Sequence, residues 1–360
     1  MTEPIVIIFT FRNRDQSRVE NCFQSLLEQT NLNFRVEFVD YGSKQNIAEQ
    51  IKSVVEKFSF TNYNFLPYLN QPWNKSRALN YIIKSVKESY FLVADIDMVF
   101  HPEFVEKLHK LKNESQITFF KVGYLSKSES AVSKSFDLYS IKLNSKIDAK
   151  GISLFPTNLV KNINGFDEFF HFWGAEDVDI HFRLVNNGFT SIWYDKEILL
   201  LHQWHPSYMM RQRNKLTKEL QVENIIRINH EHLKFNLTSL SNVNSNSWGE
   251  VYSQDDFANL SSYSISAIFG TEKEVVDHFL YGYLHSFSNQ IIAVRFKSNE
   301  VSKLRNFVKK CLGRKVITHY SLKQINDKIL LHLISYYRNN LYTLEIADNF
   351  EWIDLKLKIN

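Results

Sequence analysis

Continuous apolar runs alternate with amphipathic helical patterns along about the first 200 residues, and this alternation constrains the fold more than any other feature. The run IVIIFTF (5–11) has the composition of a strand buried on both faces of a sheet. Apolar residues at helical spacing follow over 17–29, and a second strand, FRVEFVDYGS (34–43), ends in a glycine turn. Strands that alternate with helices predict an α/β fold with a mostly parallel sheet and crossover helices.

The chain is long enough for two domains. It has 360 residues, of which 44% are hydrophobic, and this composition supports a large core and excludes wholesale disorder. Residues 236–249 begin with NLTSLSNVNSNSW, whose Asn and Ser content predicts a linker. The α/β pattern restarts after it with YSISAIFG. We therefore predict a catalytic domain at 1–235 and a smaller α/β accessory domain, without an assigned role, at 250–360.

Charge and cysteine content exclude several classes of protein. A net charge of +4 gives no reason to expect a nucleic-acid partner, and two cysteines form neither a disulfide framework nor a metal motif. The first apolar run is short and has no basic segment before it, so we interpret it as a strand and expect a cytoplasmic protein. The basic stretch at 302–315 fits packing on its own domain or contact with anionic lipid, so peripheral membrane association stays open.

Carboxylates gather where this pattern expects a ligand. The apolar strand FLVADIDMVF (91–100) carries Asp95 and Asp97, and the segment HFWGAEDVD (171–179) places Glu176 and Asp177 at the start of a helix. Ligands bind at the carboxyl ends of the strands in such sheets. A carboxylate pair at a strand end suits a divalent metal, and a second pair at a helix start suits a general base. These features predict metal-assisted group transfer.

The order of these motifs resembles that of GT-A glycosyltransferases. From the start the chain resembles the inverting family two, and from residue 70 the β1,4-galactosyltransferase and chondroitin-polymerase group. The elements that carry the resemblance are WNKSRALN (73–80), DID (95–97), NGFDE (164–168), WGAEDVD (173–179) and LHQWH (201–205). The resemblance implies a GT-A, Rossmann-like catalytic domain over the first 235 residues. It says nothing about residues 250–360.

The resemblance also implies a metal site. In it Asp97 is a direct ligand of Mn²⁺ or Mg²⁺, and Asp95 faces the ribose or reaches the metal through water. Relatives supply a histidine ligand from the LHQWH region, and we favour His202 over His205. Oxygen ligands suit both ions, and an imidazole favours Mn²⁺.

The helix start carries the implied chemistry. Inverting relatives use the residue at the Asp177 position as general base, whereas retaining relatives have Asn there. The residue at the Glu176 position binds substrate hydroxyl groups. Trp173 and Gly174 suit sugar stacking and close backbone approach, and Ala175 departs from the glycine that relatives often carry.

Nucleotide contacts follow from the same comparison. At the end of the first strand, relatives hold uridine. The strand-two aspartate reads the base, and the start of the WNKSRALN helix lies near the diphosphate and the donor sugar. The matching positions here are Thr10, Phe11, Arg14, Asp40, Asn74, Lys75 and Arg77.

The resulting hypothesis is an inverting enzyme that moves a hexose or N-acetylhexosamine, with galactose or N-acetylgalactosamine favoured, from a UDP-sugar. The acceptor is a hydroxyl of an oligosaccharide or a lipid-linked glycan, in the synthesis of a surface polysaccharide. Two alternatives stay open: an inactive GT-A module that binds glycan or a partner, and a nucleotidyltransferase. The second would want a glycine-rich phosphate loop, which FTFRNRD (9–15) lacks.

Overall fold

The computed structural model describes residues 3–206, 208, 214–238, 242–298, 311–313 and 316–359. Most of the basic stretch at 302–315 lies outside these residues. The chain divides into two compact units. The first comprises Met1–Leu69, Trp73–Met210 and Ile226–Val251, and the second Asn70–Pro72, Arg211–Ile225 and Tyr252–Asn360.

The first unit is built on a seven-stranded sheet with the order β10-β6-β9-β4-β1-β2-β3. Strand β9 is antiparallel to its neighbours β4 and β6, and the other adjacent pairs are parallel. This arrangement confirms the predicted α/β class with a mostly parallel sheet. The strands are β1 (Ile5–Phe11), β2 (Phe34–Tyr41), β3 (Thr61–Leu66), β4 (Tyr90–Asp95), β6 (Gln116–Phe120), β9 (Ser153–Pro156) and β10 (Thr190–Tyr194).

Helices cover this sheet as the apolar spacing predicts. All seven residues of β1 are buried. Helix α1 turns its apolar face, including Val19, Phe23 and Leu26, into the same core. The helices of the unit are α1 (Gln16–Leu27), α2 (Gln45–Val55), α3 (Lys75–Ser85), α4 (Phe104–Lys110), α5 (Thr157–Asn162), α6 (Glu176–Asn186) and α7 (Ile225–Asn236).

A second, four-stranded sheet places the segment that contains His202 next to the turn that follows β4. Its order is β5-β11-β7-β8, with β5 at Met98–Phe100, β7 at Gly123–Leu125, β8 at Ile141–Asn144 and β11 at Leu200–His202. In the antiparallel pair of β5 and β11, His202 is opposite Met98. This register brings the histidine next to Asp97, the residue that precedes β5.

The loop before α6 has an unusual backbone. Phe172, Gly174 and Ala175 have φ angles of 67°, 100° and 78°, in the left-handed region that favours glycine. Ala175 is the N-cap residue of α6 and makes no side-chain cap hydrogen bond. The geometry gives a physical reason for the glycine that relatives often carry at this position.

The segment predicted to be a linker belongs to the first unit instead. The side chain of Asn244 donates to the backbone oxygens of Asn164 and Phe166, and it accepts from the backbone of Glu168. Trp248 is buried, and the backbone N–H of Gly249 donates to Glu168 Oε1 at 2.7 Å. The Asn244 side chain bonds to backbone groups that have no partner in a helix or a strand. A polar composition in this segment is therefore compatible with packing against the domain.

Gly249→Ala tests this packing. Gly249 has φ +69°, and an added Cβ would lie 2.6 Å from the backbone oxygen of Asn80. Gly188 has a similar φ of +88° but no heavy atom within 4 Å of such a Cβ. We expect Gly188→Ala to cost roughly 1 kcal/mol of unfolding free energy from backbone strain alone. Gly249→Ala should cost about 1–3 kcal/mol more, the range for overpacking. Urea unfolding that gives equal losses would contradict the packing of this segment.

The second unit has its own sheet with the order β12-β13-β15-β14. Strands β12 and β13 are parallel, and the other two pairs are antiparallel. Its elements are α8 (Gln254–Ser262), β12 (Ala267–Phe269), α9 (Lys273–His278), β13 (Gln290–Lys297), α10 (Leu322–His332), β14 (Tyr342–Ile346) and β15 (Trp352–Ile359). Among the described residues of the whole chain, no helix is long and apolar enough to span a membrane.

Candidate active site

Asp97, His202 and His205 form a compact cluster of metal-ligand side chains. Nε2 of His202 lies 3.5 Å from Oδ1 of Asp97, and Nε2 of His205 lies 3.0 Å from its Oδ2. One ligand atom from each residue lies within 4.8 Å of the other two. The sequence favoured His202 over His205, and the structure brings both to the same carboxylate.

The electrostatics of this cluster suit a cation. Burial by itself raises the pKa of Asp97, but His202, His205 and Arg14 outweigh it, so the pKa lies below that of an ordinary aspartate. Oδ1 of Asp97 is buried and has no hydrogen-bond partner among the described residues. Nδ1 of His205 contacts the backbone oxygen of Pro206 at 2.9 Å, which suits the tautomer with a free Nε2 lone pair. One carboxylate and two imidazoles are a donor set that fits Mn²⁺.

A glutamine between the two histidines holds their segment in place. The backbone N–H of Gln203 donates to the oxygen of Asp97 at 2.8 Å. Its buried side chain donates to the backbone oxygen of Arg18 and accepts from Asn21. The sequence gave no signal for this role, because a glutamine beside two histidines has no chemistry of its own.

Asp95 lies apart from this cluster. Strand β4 ends at Asp95, and a turn at residues 96–97 separates it from β5, so Asp95 and Asp97 do not share the face of one extended strand. Lys75 Nζ donates to Asp95 Oδ1 at 2.8 Å and lies 3.8 Å from Glu176 Oε1. The structure therefore pairs Asp95 with Lys75 and does not group it with the metal-ligand atoms.

The carboxylates at the start of α6 lie next to that lysine. Burial, with Asp177 and Asp95 nearby, raises the pKa of Glu176 to about 7, although Lys75 acts in the opposite direction. Burial also raises the pKa of Asp177. For Lys75 burial lowers the pKa, but Asp95 and Glu176 outweigh it and leave the pKa above its ordinary value. Lys75 thus balances part of a dense negative charge.

Gly151 lies beside the carboxylates of both Asp95 and Asp177. A Cβ added to it would lie 3.7 Å from Asp95 Oδ2 and 3.8 Å from Asp177 Oδ2, so both oxygens border the same small space. Lys150 and Gly151 also line a small cavity with Lys75 and Asp177. Sequence reasoning missed this residue, and its only signal was a glycine two residues before β9.

Several predicted nucleotide contacts are buried with protein partners. Asp40 has no exposed surface, and its carboxylate accepts from Ser43 and Tyr63. Asn74 caps α3 and donates to the backbone of Glu168. Both side chains therefore already have hydrogen-bond partners within the protein, and their roles as nucleotide contacts stay predictions.

The remaining predicted contacts differ in exposure. Phe11 is buried against Phe38, with ring centroids 5.3 Å apart, so this side chain too is part of the core. Thr10 is also largely buried, opposite Asp95 in the sheet. Arg14 is exposed and contributes to the charge around Asp97. Trp173 is 47% exposed, and Gly174 is the backbone position at φ +100°.

Arg77, predicted to lie near the donor, forms a buried ion pair with Glu168. Its Nε donates to Glu168 Oε2 at 2.9 Å, and both side chains are almost fully buried. Glu168 additionally accepts from Asn80 and from the backbone of Gly249. The NGFDE motif thus supplies structural carboxylates, and its Asp167 similarly accepts from His232 and Asn236.

Arg77→Met distinguishes a structural role of Arg77, in the ion pair with Glu168, from a role in nucleotide binding. Removing one partner leaves Glu168 as an uncompensated buried charge, and we expect a loss of about 3–5 kcal/mol in unfolding free energy. The double variant Arg77→Met/Glu168→Gln should recover part of this loss. Chemical denaturation measures both. Wild-type stability combined with weakened nucleotide binding would instead support a role for Arg77 at the donor site.

Comparison with known families gives two matches, and both fall mostly within the first unit. Residues 5–151 match Glycosyl transferase family 2, and residues 130–211 match the N-terminal domain of galactosyltransferase. Two uncharacterized glycosyltransferases, from Rickettsia typhi and Rickettsia prowazekii, are each 26% identical to the chain over 222 residues. These alignments cover 56% of this chain and 64% of each relative, so the chain spans less than two thirds of either relative.

Solved structures add two more distant likenesses. A mannosyltransferase from Pyrobaculum calidifontis in complex with GDP-Man and Mn²⁺ is 13% identical, with a TM-score of 0.41 over 56% of this chain and 57% of its own. GalNAc-T7 with UDP, GalNAc and Mn²⁺ is 12% identical, with a TM-score of 0.43 over 56% and 43%. Both scores are too low to carry an argument about the site. The two family matches together span residues 5–211 and, with the mostly parallel sheet, confirm the predicted resemblance to glycosyltransferases.

Proposed function

We propose that the chain is an inverting, metal-dependent glycosyltransferase that moves a hexose or N-acetylhexosamine from a UDP-sugar to a hydroxyl of a glycan acceptor. Galactose and N-acetylgalactosamine are favoured as donor sugars because residues 130–211 match a galactosyltransferase domain. The proposed product belongs to a surface polysaccharide, built on an oligosaccharide or lipid-linked acceptor. The cytoplasmic location and the peripheral membrane association stay predictions from the sequence.

One observation supports the proposal: the first unit holds an Asp–His–His cluster and, separately, the carboxylates at the start of α6. Asp97 with its two histidines offers a metal site. Asp177 borders the same small space as Asp95, with Lys75 between Asp95 and Glu176. A cation site together with half-buried carboxylates of raised pKa is more typical of an active site than of a binding module.

Asp97, His202 and His205 would hold Mn²⁺. When bound, such an ion neutralises the negative charge that grows on the diphosphate leaving group. Lys75 adds a positive charge, which Asp95 and Glu176 keep protonated. In this proposal Lys75 contacts the donor next to Asp95.

Asp177 would act as the general base. It takes the proton of the acceptor hydroxyl as that oxygen forms its bond to C1 and the bond from C1 to the diphosphate breaks on the opposite face. Burial raises its pKa, which makes the carboxylate a better proton acceptor than an exposed aspartate. Glu176 would bind a substrate hydroxyl, and Trp173, with its exposed ring, would stack on a sugar.

Donor hydrolysis tests the proposal without knowledge of the acceptor. The protein is incubated with Mn²⁺ and, separately, UDP-galactose, UDP-N-acetylgalactosamine, UDP-N-acetylglucosamine, UDP-glucose and GDP-mannose, and released nucleotide is measured. We expect release from a UDP-sugar, with one of the first two fastest. Release only from GDP-mannose would reject the UDP donor, and release from none would reject the enzymatic proposal.

A further inference from the structure

The second unit contains an open groove with a volume of about 600 Å³, within the range of small-molecule and oligosaccharide sites. Its floor includes the apolar side chains of Leu260 and Leu341, both buried. Most of the remaining wall is polar. The groove is lined by Asp256, Asn259, Leu260, Ser262, Tyr263, Ser264, Ile291, Leu341 and Lys358.

The polar groups of this wall are available to a ligand. Tyr263 is 49% exposed. Within the described part of the chain, no hydrogen bond or ion pair involves the Tyr263 hydroxyl, the Asn259 amide or the Lys358 ammonium group. Helix α8 presents Asn259 one turn before the ring of Tyr263, which follows the helix end. A rigid helix end therefore carries both a flat aromatic surface and an amide with two donors and one acceptor.

The charges of the groove exclude a strongly ionic ligand. Asp256 is ionised, because its hydrogen bonds from Ser253 lower its pKa. Lys358 supplies one opposite charge, so the titratable side chains of the lining sum to zero. An anionic ligand would be expected to meet an excess of Lys or Arg. A sugar ring fits this lining, since its C–H face can cover an aromatic ring while its hydroxyl groups bond to amide, hydroxyl and charged side chains.

We propose that this groove binds a neutral oligosaccharide, namely a segment of the acceptor chain away from the reacting hydroxyl. Naming the oligosaccharide as acceptor rests on the proposed function, whereas the binding itself does not. The groove gives the second unit a role in acceptor recognition. The donor site lies wholly among residues of the first unit, so donor hydrolysis is independent of this groove.

The full chain is titrated with maltohexaose, cellohexaose and chitohexaose, and with a heparin hexasaccharide as the anionic probe, with saturation-transfer NMR and calorimetry as readouts. We expect a neutral hexasaccharide to bind more tightly than the heparin probe. Tyr263→Ala should weaken this binding about tenfold, the effect of losing an aromatic anchor, and Asn259→Ala should weaken it as well. Tyr336→Ala is the matched control, because Tyr336 is 66% exposed in the same unit but does not line the groove.

Two results would overturn the inference: no binding of any neutral hexasaccharide, or binding that Tyr263→Ala and Asn259→Ala leave unchanged. Tighter binding of the heparin probe would overturn the ligand class. Donor hydrolysis separates this inference from the proposed function. Hydrolysis without oligosaccharide binding would reject only the proposed ligand of the groove. Oligosaccharide binding without hydrolysis would reject only the enzymatic proposal.

Discussion

Asp97→Ala is expected to abolish sugar transfer, with a loss of roughly 10³-fold or more, because a bound cation supplies several kcal/mol of charge stabilisation to the leaving group. EDTA should abolish the activity of the unaltered protein, and added Mn²⁺ should restore it. His202→Ala and His205→Ala should each weaken Mn²⁺ binding, since both imidazoles lie against the Asp97 carboxylate. Calorimetric titration with Mn²⁺ and turnover assays measure these effects.

Asp137→Ala is the matched control for this series. Asp137 is an aspartate of the same unit whose side chain is 85% exposed, so the substitution should leave both turnover and Mn²⁺ affinity unchanged. The melting temperature of Asp97→Ala should stay close to that of the unaltered protein when both are measured in EDTA. Full transfer activity in EDTA would show that the reaction does not require a metal.

The sheet of the first unit could be predicted because each central strand is a continuous apolar run. IVIIFTF is buried along its whole length, and the parallel pairing of β1 with β2 and β4 follows from the helices between them. The same reasoning located Asp95 at a strand end. The sequence could not show that both His202 and His205 reach Asp97, because that depends on the pairing of β11 with β5, about 100 residues away in sequence.

The sequence could not show the partners of polar residues when those partners are distant in sequence. Arg77 looks like a donor contact until Glu168 is seen to pair with it, and Asp40 looks like a base-reading carboxylate until Tyr63 and Ser43 are seen to satisfy it. The Asn-rich segment before Trp248 looks like a linker until Asn244 is seen to bond to residues 164, 166 and 168. Local composition describes what a side chain can do, whereas its partner decides whether it lies in the site or in the interior.

Asp177→Asn is expected to lower transfer to an acceptor by roughly 10²–10⁴-fold, the contribution of a positioned general base. The amide keeps the shape of the side chain but cannot accept the proton. Donor binding should persist, because Asp97 and Lys75 are unchanged. Since the base must be deprotonated, transfer by the unaltered enzyme should fall as the pH drops through the raised pKa of Asp177, at a pH above the ordinary 3.8.

Asp179→Asn is the control from the same helix. Asp179 is buried and ion-paired with Arg183 at 2.7 Å, and it also accepts from Asn236. Its substitution should therefore lower the unfolding free energy, by about 3 kcal/mol on the scale of a broken buried pair. Asp177→Asn should leave the melting temperature nearly unchanged. Equal losses of stability in the two variants would mean that Asp177 is also a structural carboxylate.

The anomeric configuration of the product distinguishes an inverting from a retaining mechanism. If Asp177 activates the acceptor oxygen for attack opposite the diphosphate, an α-linked UDP-sugar gives a β-linked product. Proton NMR of the purified product distinguishes the two configurations through the coupling between H1 and H2. An α-linked product would show retention, and Asp177 would then have to stabilise or position a substrate instead of accepting its proton.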